Sequence, residues 1–182
     1  MHRREFWRPT STGRLINRVM PASRHHVFEG GKIPDRAAIM QPDRELWIMH
    51  PRGEPLPDDA APEKLQVLLL DGSWREAAAM TQAVGSWGRL VRLPAAGPSR
   101  NALRRQELDG NYSTIESLLF LLAALGLSEA EAKLRLQFEL HVYAGLRTRG
   151  AKVLAEEFLA TSPIRTAFPE LLAQLHERRV NA

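Results

Sequence analysis

The run "LQVLLLDG", Leu65 to Gly72, constrains the fold more than any other stretch of this chain. Its apolar side chains do not alternate with polar ones. A strand of that kind is usually buried on both faces, as in a parallel sheet covered by helices. The run ends in an acid, Asp71. Gly72 provides a turn, and "SWREAAAMTQAV" follows, rich in helix formers. "RLVRLP", Arg89 to Pro94, reads as the next strand, and "ELWIMHP", Glu45 to Pro51, as the preceding one. Alternating strands and helices predict an α/β fold with a mainly parallel sheet flanked by helices. Ligands in such sheets bind outside the carboxyl ends of the strands. With Leu68–Leu70 as a central strand, Asp71 is expected at that rim, and His50 and Pro51 beside it.

The other elements are expected as follows. Leu15, Ile16, Val19 and Met20 recur at helical spacing, with Ser11 or Thr12 as cap and Pro21 as stop. "HHVFEGG" reads as a short strand and "IPDRAAIMQ" as a short helix. Arg52 to Lys64, with three prolines and many acids, reads as a loop. "YSTIESLLFLLAALG" is apolar on nearly every side, hence a core helix, with Gly126 at its end. "SEAEAKLRLQFELHVYAGLR" alternates like a strand from Ala130 to Val142. Its length and its Ala, Glu, Lys and Leu content predict a helix instead, with Ala130, Leu134, Phe138 and Val142 on one face. One or two helices broken at Pro163 complete the chain. The 182 residues suit a single domain, 1–182, with its core at about 2–147 and a helical extension over 150–182.

With no cysteine, disulfides and Cys-based metal sites are excluded, and a reducing cytoplasm is the natural compartment. No metal-ligand spacing is present among the six histidines, and no P-loop, G-x-G-x-x-G or H-E-x-x-H occurs. The longest apolar stretch, Leu118 to Leu125, is far short of the ~18 residues of a membrane span. The "MHRREFWRPT" start has no apolar region of a secretory signal. The formal net charge of +4 is only modestly basic, but arginines cluster at 3, 4, 8 and 14 and again at 100, 104 and 105. Arginine grips phosphate in a bidentate way; a solvated surface is the plainer reading.

Three S-x-x-E boxes, at Ser73–Glu76, Ser113–Glu116 and Ser128–Glu131, show how this chain starts helices. Capping thus accounts for Ser73, Glu76, Ser113 and Glu116. It does not account for Asp71 or Trp74. A carboxylate closing an apolar strand must reach water, be hydrogen-bonded, or shift its pKa. An indole at the ligand edge of a sheet is a core anchor or a surface on which a base stacks.

Four blocks in order carry a resemblance. "HRREFWRPTSTGRL" is similar to H-P-x-E-x-x-R-P-T-N-T-G-R-L, "DGSWREAAAM" to an Asp-Thr-Trp signature, and "ALRRQELDGNYSTIESLL" to L-R-R followed by S/C-T-x-E; "WIMHP" lies between the first two. The chain resembles the DTW-domain family from about His2 to Arg147. The resemblance implies a SPOUT-like fold with a C-terminal trefoil knot. It implies S-adenosyl-L-methionine-dependent transfer of a 3-amino-3-carboxypropyl group to N3 of a uridine in tRNA, with no metal needed; no obligate protein partner is evident in the sequence, and a cytoplasmic monomer is the expectation. Asp71 is then the expected catalytic residue, as general base. Thr12, Gly13, His50, Pro51, Leu69, Ser73, Trp74, Ser113 and Thr114 are the expected cofactor contacts. Arg14, Arg75, Arg104 and Arg105 are the expected RNA contacts. A catalytically silent RNA-binding module and an RNA methyltransferase are the alternatives. Ser73 stands where the family has Thr, Ser11 where it has Asn, and Arg3 where Pro is usual. The strand that leads into the first block in many members does not precede it here, and an exposed sheet edge is expected in consequence.

Overall fold

The computed structural model describes residues 1–29, 32–94, 97–104 and 112–177. In chain order its elements are α1 (Arg3–Phe6), a 3-10 turn (Gly13–Leu15) running into α2 (Ile16–Val19), α3 (Arg36–Ile39), β1 (Glu45–Pro55), β2 (Leu65–Leu68), α4 (Trp74–Val84), β3 (Arg89–Arg92), α5 (Thr114–Ala124), α6 (Ser128–Thr148), α7 (Lys152–Ala160), α8 (Ile164–Ala167) and α9 (Pro169–Glu177).

The described strands form one sheet in the order β2-β1-β3, both pairings parallel. Trp47 lies opposite Val67 on one side and Arg89 on the other. The apolar run of the sequence is therefore an edge strand, not the central one. Val67, Leu68, Leu69 and Leu70 are only half-buried, because an edge strand is covered on one side less than a central one. The central strand is β1, whose Leu46, Trp47 and Ile48 are all buried. Both faces of β1 are covered, as parallel sheets require. Trp47 joins the main core with Ile115, Leu119, Phe138 and Tyr143, whereas Leu46 and Ile48 pack with Val84 on the opposite face. Ala155, Phe158, Ile164 and Leu172 of the C-terminal helices belong to the same main core.

Several local expectations change. β1 runs four residues beyond Pro51, into the segment read as a loop. A register shift puts Met49 and Glu54 both opposite Val91, so residues 50–53 bulge from the ladder. "HHVFEGG" makes only isolated bridges in its described part, Phe28 with His2 and Glu29 with Lys32. A lone pairing cannot build a ladder, and Pro34 follows closely. The third capping box does not form: Leu127 occupies the cap position and Ser128 is already helical. Glu131 instead pairs with Arg135 one turn on. The ambiguous segment is a helix, with Leu134, Phe138 and Val142 buried along one face. Gly126, at φ +71°, follows α5 where the sequence predicts it. The C-terminus forms α7, α8 and α9, with Pro163 capping α8.

Candidate active site

Parallel strands place their carboxyl ends on one rim. There the ends of β1, β2 and β3 and the N-terminal turns of α4 and α5 enclose a cleft of about 1080 Å³, ample for a nucleotide-sized ligand. Asp71 lines it and is only 6% exposed. The Thr114 hydroxyl donates to Asp71 Oδ1 at 2.6 Å, and the Ser11 hydroxyl lies 3.5 Å from Oδ2. The backbone N–H of His2 donates to the Asp71 carbonyl at 2.8 Å. Gly13 packs so closely that a Cβ there would stand 2.6 Å from Asp71 Oδ2. Thus one acid joins the N-terminal block, the end of β2 and the start of α5. It makes no ion pair among the described residues. Burial pushes its carboxyl above the ordinary range, and the nearby Glu5 charge adds to that; the Thr114 hydrogen bond works in the opposite direction.

The two capping boxes at the rim form as the sequence predicts, and each glutamate takes a further partner. Glu76 binds the Ser73 N–H through Oε2 (2.8 Å), while its Oε1 lies 3.0 Å from His2 Nδ1. Burial raises the Glu76 carboxyl, but hydrogen bonds from Ser73 and the nearby His2 and Arg8 bring it below its ordinary value. Glu116, 2% exposed, binds Ser113 and also accepts from the Ser99 hydroxyl and the Arg100 N–H, at 2.8 and 2.7 Å. Local capping alone therefore understates both residues.

Glu5 is fully buried and pairs with Arg8 and with Arg104, the latter at 2.6 Å. Arg104 also donates to Thr10 Oγ1 at 3.3 Å. Both arginines line the cleft. Arg100 is held elsewhere: its guanidinium grips buried Glu139 through two bonds and lies 4.5 Å from the Phe158 ring centre.

The structure brings most sequence-selected residues to this cleft. Thr12, His50, Pro51 and Leu69 line it, and so do Ser73, Trp74, Ser113 and Thr114. Gly13 does not line it but presses on Asp71 from behind. Trp74 is 44% exposed, with Arg75 exposed beside it. Arg14 lies away from the cleft, over the Phe6 ring. Arg105 falls outside the described residues. Burial and the neighbouring Arg52 lower the pKa of His50, so its imidazole is neutral near pH 7.

Arg8, Arg52, Arg92 and Asn101 also line the cleft and were not selected from the sequence. The strand-end rule that singled out His50 applies equally to Arg92, at the end of β3. Asn101 gave no signal: it is 7% exposed, and its Oδ1 is buried without a hydrogen-bond partner among the described residues. The cleft thus combines a half-buried leucine wall, two helix N-termini that favour anions, an orphaned amide oxygen suited to an N–H donor, and a carboxylate inclined to take a proton.

The family model described as DTW domain matches residues 1–145. No curated protein and no solved structure matches the chain.

Proposed function

Because the chain belongs to the DTW-domain family, we propose that it transfers the 3-amino-3-carboxypropyl group of S-adenosyl-L-methionine to N3 of a uridine in tRNA. A tRNA-modifying role is consistent with the family. The donor, the group and the atom are our reading. The observation that carries it is Asp71: a buried carboxylate at the cleft that makes no ion pair among the described residues, with its proton affinity raised.

The residues present fit the donor. The cleft volume suffices, Leu69 and Pro51 offer apolar contact, and the N-terminal ends of α4 and α5 suit a carboxylate. The orphaned Asn101 Oδ1 suits an ammonium. We assign Thr12, His50, Ser73, Trp74, Ser113 and Thr114 to the same site, with Gly13 acting through Asp71. Bound S-adenosyl-L-methionine would supply the chemistry: the methylene beside its sulfonium accepts the N3 electron pair while the carbon–sulfur bond breaks toward sulfur.

The chain's own residues do the rest. Asp71 takes the proton from uridine N3. A carboxylate whose pKa is raised is a better base toward so weak an acid. Thr114 and Ser11 fix the carboxylate's orientation, and Trp74 offers the base a stacking face. Arg75 and Arg104 are assigned to phosphate, although Arg104 is already held by Glu5. The three parallel strand ends around the cleft support a SPOUT-like scaffold, and we extend that reading to a knot in the C-terminal part. No described helix is long and apolar enough to cross a membrane; we place the enzyme in the cytoplasm, as a monomer.

The test is nucleoside mass spectrometry after incubation of the protein with tRNA and S-adenosyl-L-methionine. A uridine heavier by one aminocarboxypropyl group is expected. A methyl gain makes the protein a methyltransferase, and RNA binding with no gain makes it a silent binding module; either result overturns the proposal.

A further inference from the structure

Trp7 leaves 74% of its surface in solvent; an open indole offers a π-face on which a base can stack. Its position is fixed from below. Phe6 meets it edge-on, with ring centres 5.0 Å apart, and the Arg14 guanidinium lies 5.2 Å from the Phe6 ring centre. α1 is anchored by buried Glu5. Arginine, phenylalanine and tryptophan therefore form a short run of contacts that ends in an open aromatic side chain.

The surroundings are cationic. Arg4, Arg8 and Arg14 are exposed. The acids nearby are neutralised, Glu5 by Arg8 and Arg104 and Glu29 by Arg3. Arg4 and Arg14 make no ion pair among the described residues. An aromatic face amid arginines suits a partner that carries both π-systems and negative charge.

The segment that carries Trp7 reaches the cleft. Arg8, next in the chain, lines the cleft wall. The block docks on the first turn of α4 through His2 and Glu76, 3.0 Å apart. That turn carries Trp74 and Arg75.

We infer that Trp7, backed by Phe6 and Arg14, is a stacking platform for an unpaired RNA base adjoining the one that enters the cleft. The inference rests on the RNA-modifying reading and adds to it a second contact outside the cleft. A single-stranded segment with one base in the cleft and a neighbour on Trp7 would be held in register by two aromatic contacts, while the exposed arginines of the N-terminal block meet its phosphates.

The test compares wild type, Trp7→Ala and Trp7→Phe at one fixed ionic strength, because phosphate contacts are salt-dependent. Binding of a labelled single-stranded oligoribonucleotide is read by fluorescence anisotropy, cofactor binding by calorimetry, and mass by sedimentation. Trp7→Ala is expected to weaken RNA binding roughly tenfold, within the about 5- to 150-fold that loss of one stacked base implies. Trp7→Phe should recover most of it, and cofactor affinity should not change in either variant. Equal RNA affinity in wild type and Trp7→Ala overturns the platform while leaving the enzyme reading intact. A wild type that binds no RNA overturns both. A wild type that self-associates, with Trp7→Ala monomeric and equal in RNA affinity, makes the surface a contact between copies and overturns the inference.

Discussion

Thr114 Oγ1 donates a 2.6 Å hydrogen bond to Asp71 Oδ1, tying the first residue of α5 to the acid that follows β2. The bond favours the ionised carboxylate and so opposes the effect of burial. Thr114→Val keeps the shape and removes the donor. The Asp71 pKa should rise further, so the acidic limb of the transfer rate moves to higher pH. At a pH below that limb, activity should fall by about tenfold or more, the scale of a hydrogen bond to a charged group. Thr114→Ser should restore the wild-type profile. A pH–rate series on the three proteins decides it; an unmoved limb in Thr114→Val means that Asp71 is not the titrating base.

Asp71→Asn separates chemistry from stability. Asn cannot take a proton, so transfer should drop by about 10²- to 10⁴-fold. Stability should move in the opposite sense. A carboxyl whose pKa is raised on folding binds its proton more tightly in the folded state. Its ionisation therefore costs stability as pH rises from the unfolded value, near 3.8, through the folded one. At pH 7 wild type bears that cost and Asp71→Asn does not. Thermal melts should show the variant more stable at neutral pH, with the advantage shrinking as pH falls through the folded-state pKa, below which wild type is itself protonated. A variant less stable than wild type at pH 7 would show that the carboxylate is held by interactions stronger than its burial.

Gly13→Ala tests the close packing behind the carboxylate. The added Cβ would stand 2.6 Å from Asp71 Oδ2 and 3.1 Å from its Cγ. Asp71 cannot swing away freely while Thr114 holds Oδ1. A loss of about 1–3 kcal/mol is expected, as for overpacking elsewhere, or roughly 2–10 °C in a chain of this size. In a double-mutant cycle Asp71→Ala should remove most of that loss, because the clash is with its carboxylate. Additive losses would place the strain elsewhere.

The legible parts of this fold are those governed by local rules. Helix starts at Ser73 and Ser113 follow from side-chain caps, and the glycine at 126 from the left-handed end of α5. The strand-end rule brought Asp71, His50 and Pro51 to one rim even though β2 proved to be the edge strand: in a parallel sheet every strand ends on the same side. What local rules miss is long-range pairing of charge. Arg104 reads as a cation awaiting phosphate and Arg100 as part of the same basic cluster, yet each grips a buried acid far away in sequence, Glu5 and Glu139 respectively. Neither Glu139 nor Glu5 differs in sequence from a solvated glutamate; only packing shows the pairing. Ser128–Glu131 fits the box pattern as well as the other two, but Leu127 takes the cap position and Glu131 finds Arg135 instead.

Glu5 offers the complementary test to Thr114. It is fully buried between Arg8 and Arg104, whose side chains are 44% and 33% exposed. Glu5→Gln removes the charge and leaves both guanidinia with a neutral partner. Breaking a buried pair costs about 3–5 kcal/mol, and the solvent reach of the arginines lowers this to roughly 2–4 kcal/mol. The thermal midpoint should fall by about 5–15 °C. That much is expected of any buried ion pair. The distinguishing readout is again the acidic limb. The Glu5 charge helps to raise the Asp71 pKa, so its removal should lower it. The limb then moves to lower pH in Glu5→Gln and to higher pH in Thr114→Val. Opposite shifts from two residues on different segments would identify Asp71 as the group they share. Shifts in the same direction would mean that the rate follows general loosening of the site rather than one carboxyl.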